Sequence, residues 1–136
     1  SFSFQEFSQR YANPDEQGDM FEYSEARLQD PKNRQNSIKT DDGKLQLEWE
    51  QAQRRIGVLA KKEYDWAIEN GIAKEQARKV LPEGLTKTRL YMNGTIRSWV
   101  HYIQLRGANG TQKEHMEIAH ACAKVISEIF PLMDEL

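Results

Sequence analysis

The sequence predicts an α/β fold of the α+β kind, and three patterns predict it. Two stretches, 2–11 and 86–93, alternate apolar and polar residues with the period of two expected of strands that join a sheet. Across 44–70, 96–107 and 111–130 apolar residues return every three or four positions, the period of helices that bury one face. Pro and Gly punctuate the joins. The length, 136 residues, suits one domain. With 38% hydrophobic and 29% charged residues and a mean hydropathy of -0.81, its core must be lean, and extra burial is expected from partner subunits.

The first element opens with SFSFQEFSQRYANP. As a strand it puts Phe2, Phe4, Glu6, Ser8 and Arg10 on one face and Ser3, Gln5, Phe7, Gln9 and Tyr11 on the other. Two readings stand. The segment is a sheet strand with a solvated polar end, or it is an anion site where the planar fork of Arg10 and the hydroxyl of Ser8 grip a phosphate or carboxylate.

From 13 to 43 the composition turns polar, with Pro14, Gly18, Pro31 and Gly43 as breakers, and the stretch reads as a long loop. Within it, RLQDPKNRQNSI crowds Arg27, Gln29, Asn33, Arg34, Gln35, Asn36 and Ser37 together. A loop of this length is either disordered or functional, and Leu28 and Ile38 suit docking of its two ends.

The helix over 44–70 carries Leu45, Trp49, Ala52, Ile56, Leu59 or Ala60, Tyr64 and Ala67 or Ile68 as its expected buried stripe. Asp41 or Asp42 caps its start and Gly71 supplies a left-handed stop. Trp49 and Trp66 read as packing residues rather than a stacking platform. A short helix follows over 73–80, with Arg78 near its end as a solvated charge favoured by the dipole. Pro82 turns Leu81 away from helix. The strand from 86 leads, after Asn93-Gly94, straight into the helix over 96–107.

At 100° per residue, Arg97, His101 and Gln104 share one stripe of that helix, while Trp99, Tyr102, Ile103 and Arg106 lie roughly opposite. Polar hooks on both sides suit a helix between two sites or two subunits. His101 reads either as a structural hydrogen-bonder or, flanked by Arg97 and Gln104, as part of a site. The last helix opens on TQKE, a capping box from Thr111 to Glu114, and packs through His115, Ala119, Cys122, Ile126 and Ile129 until Pro131. His115, His120 and Cys122 do not share a face, so no metal site is expected. Cys122 reads as a small core residue.

A net charge of -2 and a pI near 5.9 give no global basic field, which argues against general nucleic-acid binding. The single Cys excludes an internal disulfide and suits a reducing compartment. No apolar run approaches the roughly 20 residues of a membrane span, and no leader precedes Ser1. The expectation is a cytoplasmic protein, in the host cytoplasm if the source is viral.

Four ordered motifs, SFSFQEFSQRY, NRQNS, ARKVLPEGLTKTRLYMNGTIRSWVHYIQLR and TQKE, resemble the C-terminal part of flavin-dependent thymidylate synthases over essentially the whole chain. That family's signature, Arg-His-Arg-x-x-Ser-x-Asn-Glu-x-Ser-x-Arg-Tyr, is matched from its first Ser onward by residues 3–11, with Gln5 in place of Asn. The resemblance implies an α/β fold. It also implies reductive methylation of dUMP to dTMP with methylenetetrahydrofolate, FAD as hydride carrier and NADPH as reductant, in a homotetramer. By the same resemblance Glu6, Phe7, Ser8, Gln9, Arg10 and Arg78 surround the phosphate and sugar of the nucleotide and Arg106 holds its uracil ring. Glu6, Thr95, Arg97 and His101 contact FAD, Thr95 standing where many relatives have Asn, and the loop over 34–37 orders near substrate. The signature's Arg-His-Arg falls before Ser1, so the family's N-terminal portion is expected to be missing from this chain. Two other readings remain: a non-catalytic fragment that binds nucleotide or flavin, and a helical nucleic-acid module using Arg27, Arg34, Arg54 and Arg55.

Overall fold

The longest element is a helix, α1, Gly43–Glu69, and local chemistry sets both of its ends. Asp42, in extended conformation, accepts the Leu45 N–H at 3.1 Å, satisfying one of the donors that every helix leaves open at its start. Beyond its last turn Gly71 adopts φ +76°, which a Cβ would oppose, and the chain reverses. A computed structural model describes residues 2–6, 20–108 and 110–130.

The chain divides into two compact units, each drawn from separated stretches of sequence. Among the described residues one comprises 5–6, 20–26 and 41–91, and the other 2–4, 27–40, 92–108 and 110–130.

The first of these is built on α1. Its core is Met20, Phe21, Ala60, Tyr64, Ala67 and Ala77, with Tyr23, Ile68, Leu81 and Leu85 packed around it. The buried row of α1 is therefore Gln53, Gly57, Ala60, Tyr64 and Ala67; the last three belong to the expected stripe, and Gln53 and Gly57 replace Ala52 and Ile56, one position round. Trp49, Ile56, Leu59 and Trp66 stand 45%, 53%, 56% and 56% exposed, so the reading of both tryptophans as packing residues is corrected within this chain. The reason is what covers the helix. An extended segment lies along α1, and its backbone can approach only over a row of small side chains and amides.

Two glutamines, two turns apart on α1, hold that segment as a neighbouring strand would. Gln53 Oε1 accepts the Ser24 N–H at 2.9 Å while its Nε2 donates to the Ser24 carbonyl at 2.9 Å. Gln46 repeats the pattern with Ala26, at 2.8 Å for both bonds. The alternation of a strand puts the polar groups of residues 24 and 26 on one side, and the amide side chains complete the backbone accounting there.

After α1 come α2, Lys74–Ala77, and a 3-10 turn, Arg78–Val80. Leu81 is extended, φ -85° and ψ 128°, as its place before Pro82 requires. The strand expected over 86–93 is broken. Thr86 bridges antiparallel to Phe21 and spends its hydroxyl on the Pro82 carbonyl at 2.7 Å. Regular pairing begins only at β4, Leu90–Gly94, whose partner is β1, Phe2–Glu6. Between the Thr86 bridge and β4, residues 87–89 belong to no strand, and Asn93 and Gly94 lie inside β4 rather than in a closing turn. Residues 7–11 of the other expected strand lie outside the described residues.

In the second unit the expected loop holds a hairpin, β2 Arg27–Gln29 with β3 Ser37–Lys39, antiparallel, in which Leu28 faces Ile38. Two helices complete the unit, α3 over Ile96–Arg106 and α4 over Lys113–Ile129. The capping box is corrected. The first helical acceptor of α4 is the Gln112 carbonyl, bonded by the Met116 N–H at 2.9 Å, so Thr111 stands one residue too early, and no side chain caps this end. Ala119 is fully buried and Ile129 is 70% exposed, so the packing stripe of α4 ends before its last turn.

Candidate functional site

Helix α3 carries most of the candidate chemistry, and its orientation is fixed from both sides. Thr95 caps it, its Oγ1 accepting the Ser98 N–H at 3.1 Å, so the helix starts where Arg97 falls in the first turn. On the inward face Phe2 of β1 meets Trp99 edge-on at 5.1 Å between ring centres and Tyr102 at 6.2 Å. Tyr102 in turn lies 5.5 Å from the ring of His115 on α4. Such edge-to-face pairs add to the burial of area. Ile103 is buried beside them. As expected, Arg97, His101 and Gln104 line the opposite, exposed face. Among the described residues neither Arg97 nor His101 has a hydrogen bond or ion pair.

Arg106 ends α3 and is exposed. Its charge is felt inward all the same. Burial raises the Tyr102 hydroxyl above its usual pKa, Cys122 raises it further, and Arg106 pulls it partly back. Burial also raises the Cys122 thiol, which keeps it protonated and a poor nucleophile. Cys122 thus packs as a small core-edge residue.

The other candidates lie elsewhere. Arg78 heads the 3-10 turn in the α1 unit, half-buried, with Nε donating to the Glu75 carbonyl at 3.2 Å. Glu6 ends β1, and Phe7, Ser8, Gln9 and Arg10 lie outside the described residues. In the hairpin, Asp30 is the organising residue that sequence pattern did not single out. Its carboxylate accepts the Lys32 and Asn33 N–H groups at 2.8 and 3.2 Å and the Asn36 amide at 2.9 Å. The Asn36 bond foremost, then that from Lys32, holds its pKa below the ordinary value. The Asp-Pro pair at 30–31 was the available signal. Arg34 and Gln35 are left exposed at the tip.

Two of the four arginines of the nucleic-acid reading are tied into structure. Arg27 donates to the hydroxyl and carbonyl of Ser37, both at 2.6 Å. Arg54 pairs with Glu50 at 3.0 Å and lies 4.8 Å over the Tyr23 ring. Among the described residues no group of side chains could hold a metal ion, and no helix is long and apolar enough to cross a membrane.

A family model, thymidylate synthase complementing protein, matches residues 1–132. The chain belongs to this family. Among thymidylate synthase complementing proteins and their kin, the chain is 48% identical over 131 residues to a probable flavin-dependent thymidylate synthase of Paramecium bursaria Chlorella virus 1. It is equally similar, 48% over 131 residues, to the flavin-dependent thymidylate synthase of Synechocystis sp.. Both matches take in 96% of this chain and 59% of the relative, so the chain spans about three-fifths of the length of these relatives. In fold it is similar to a crystal structure of the UMP/dUMP methylase PolB from Streptomyces cacaoi bound with 5-Br dUMP. The TM-score is 0.73 at 24% identity, over 98% of this chain and 61% of that one. The mixed helix and strand architecture read from the sequence is thus that of a thymidylate synthase complementing protein.

Proposed function

We propose that this chain forms the C-terminal part of a flavin-dependent thymidylate synthase. That enzyme converts dUMP to dTMP in the cytoplasm with methylenetetrahydrofolate, FAD and NADPH. The observation that carries the reading is the family match across residues 1–132. When bound, the flavin supplies hydride transfer, and the protein supplies binding, orientation and electrostatics. The flavin fits this chain's own surface, since Arg97 and His101 are exposed on one stripe without partners among the described residues, and its pyrophosphate is the anion such groups favour. Glu6 and Thr95 join them on the flavin side.

On the substrate side Arg10, Ser8, Gln9, Phe7 and Arg78, with Glu6, hold the phosphate and sugar of dUMP. Arg106 donates to a carbonyl of the uracil ring and stabilises negative charge that builds there as the ring is attacked. Ser8 binds and does not act as a nucleophile. The 34–37 loop orders near substrate, and the exposed Trp49, Ile56, Leu59 and Trp66 row supports assembly into a homotetramer.

Tritium release from labelled dUMP, with folate, NADPH and FAD present, tests the reading. The 136-residue chain is expected to be inactive alone and active when the N-terminal portion of the enzyme, with its Arg-His-Arg, is added in trans. Two charge-assisted bonds of roughly 1.5 kcal/mol or more each separate the two states, a hundredfold or more in affinity. No release from the mixture, with both parts folded, would reject the assignment.

A further inference from the structure

At the end of α3 the chain passes from Arg106 to Gly107, the C-cap residue. The last carbonyls of a helix have no N–H partner within it. Here the Gly107 carbonyl meets Nε2 of His120 on α4, 3.1 Å away and thirteen residues along the chain. A carbonyl oxygen can only accept, so Nε2 carries the proton and donates it. The approach depends on glycine. A Cβ at position 107 would lie 2.7 Å from the Ile103 oxygen and 3.2 and 3.3 Å from Cδ2 and Nε2 of the imidazole. A missing side chain and the His120 imidazole thus converge on Gly107, the residue that directly follows Arg106.

From this we infer that His120 is a positioning residue, which clamps the last turn of α3 and so fixes the direction of the Arg106 guanidinium. Arg106 sits at the frayable end of its helix, on a long stem, where a small rotation of the last turn moves the charge by ångströms. The Gly107 N–H still bonds the Ile103 carbonyl at 2.8 Å within the helix, whereas the Gly107 carbonyl lies past the last intrahelical bond and takes its partner from α4. His120 is exposed and adds little to the core, whereas its neighbour Ala119 is fully buried and seats α4. The role of the imidazole is therefore geometric rather than a matter of burial. The inference rests on the reading that Arg106 holds the pyrimidine.

The test uses the full-length, FAD-loaded enzyme. In His120→Ala, KM for dUMP is expected to rise and kcat to fall, since Arg106 both holds the ring and stabilises the charge that builds on it, together lowering kcat/KM about five- to tenfold, the loss of one hydrogen bond. FAD content should stay constant, and amide exchange in the last turn of α3 should quicken. His120→Gln, which keeps an N–H donor, should recover most of the affinity, and Gly107→Ala should reproduce the loss with His120 intact. Unchanged KM and exchange in His120→Ala would overturn the inference, as would a loss of FAD and thermal stability that His120→Gln shares. If Arg106→Ala leaves dUMP affinity intact, the substrate role of Arg106 fails. Faster exchange in His120→Ala would still support the clamp in that case, and unchanged exchange would overturn it.

Discussion

Gln53 is buried, yet it makes three hydrogen bonds, two to Ser24 and one to the Trp49 carbonyl at 3.2 Å. Removing such an amide leaves backbone groups without partners, which costs more than the bonds themselves contribute. Gln53→Ala is therefore expected to lower stability by about 2 kcal/mol in urea denaturation. Gln46→Ala, at a half-buried site where water can take over, should cost about half as much. Gln53→Leu, similar in volume but without donor or acceptor, should not recover the loss. Equal effects at 46 and 53 would show that the two side chains do not act on the segment in the way their burial implies.

At the scale of the element, α3 presents opposite chemistry on opposite faces, and the two faces should be separable by mutation. Arg97→Ala is expected to lower FAD occupancy while dUMP affinity holds. Arg106→Ala should weaken dUMP by tenfold or more, the worth of a bond to a charged group, with FAD retained. Absorbance titration for the flavin and equilibrium dialysis for the nucleotide read the two apart, and parallel losses in both variants would deny the division.

Although its Thr95 cap emerged only from the structure, this helix was legible because period and polar stripe agree over 96–106. The same holds for α1, whose expected span 44–70 becomes Gly43–Glu69. Which row of α1 is buried was not legible, because that choice depends on glutamine bonds to residues twenty and more positions away. The hairpin was missed because each of its strands has three residues, too few for alternation to register, and its turn is built by Asp30 rather than by a Gly-containing pair. The stripe of Arg97, His101 and Gln104 and the face shared by Glu6, Ser8 and Arg10 could be read from spacing, whereas Phe7, Gln9, Arg78 and Thr95 came only from the resemblance.

For the whole molecule, the exposed apolar row of α1 is the largest debt left by so lean a composition. Contiguous exposed apolar surface of this kind marks an interaction face. In the complete assembly Trp66 is expected to be shielded. Acrylamide quenching of a variant that keeps Trp66 alone should fall several-fold between the isolated chain and the full enzyme, and equal quenching in both would refute shielding at this row.

The interleaving of the two units also sets an order in time. As the chain is synthesised, the α1 unit has all of its stretches once residue 91 has been made. The β2–β3 hairpin and residues 2–4 of β1 appear early but belong with α3 and α4, which come last. Those early segments must wait through some fifty residues of a neighbour's sequence, the stretch 41–91, before their own partners exist. Pairings between distant stretches form late and slowly. A nascent chain halted before α3 would therefore hold a finished scaffold and an unclaimed hairpin, with Arg97, His101 and Arg106 not yet made.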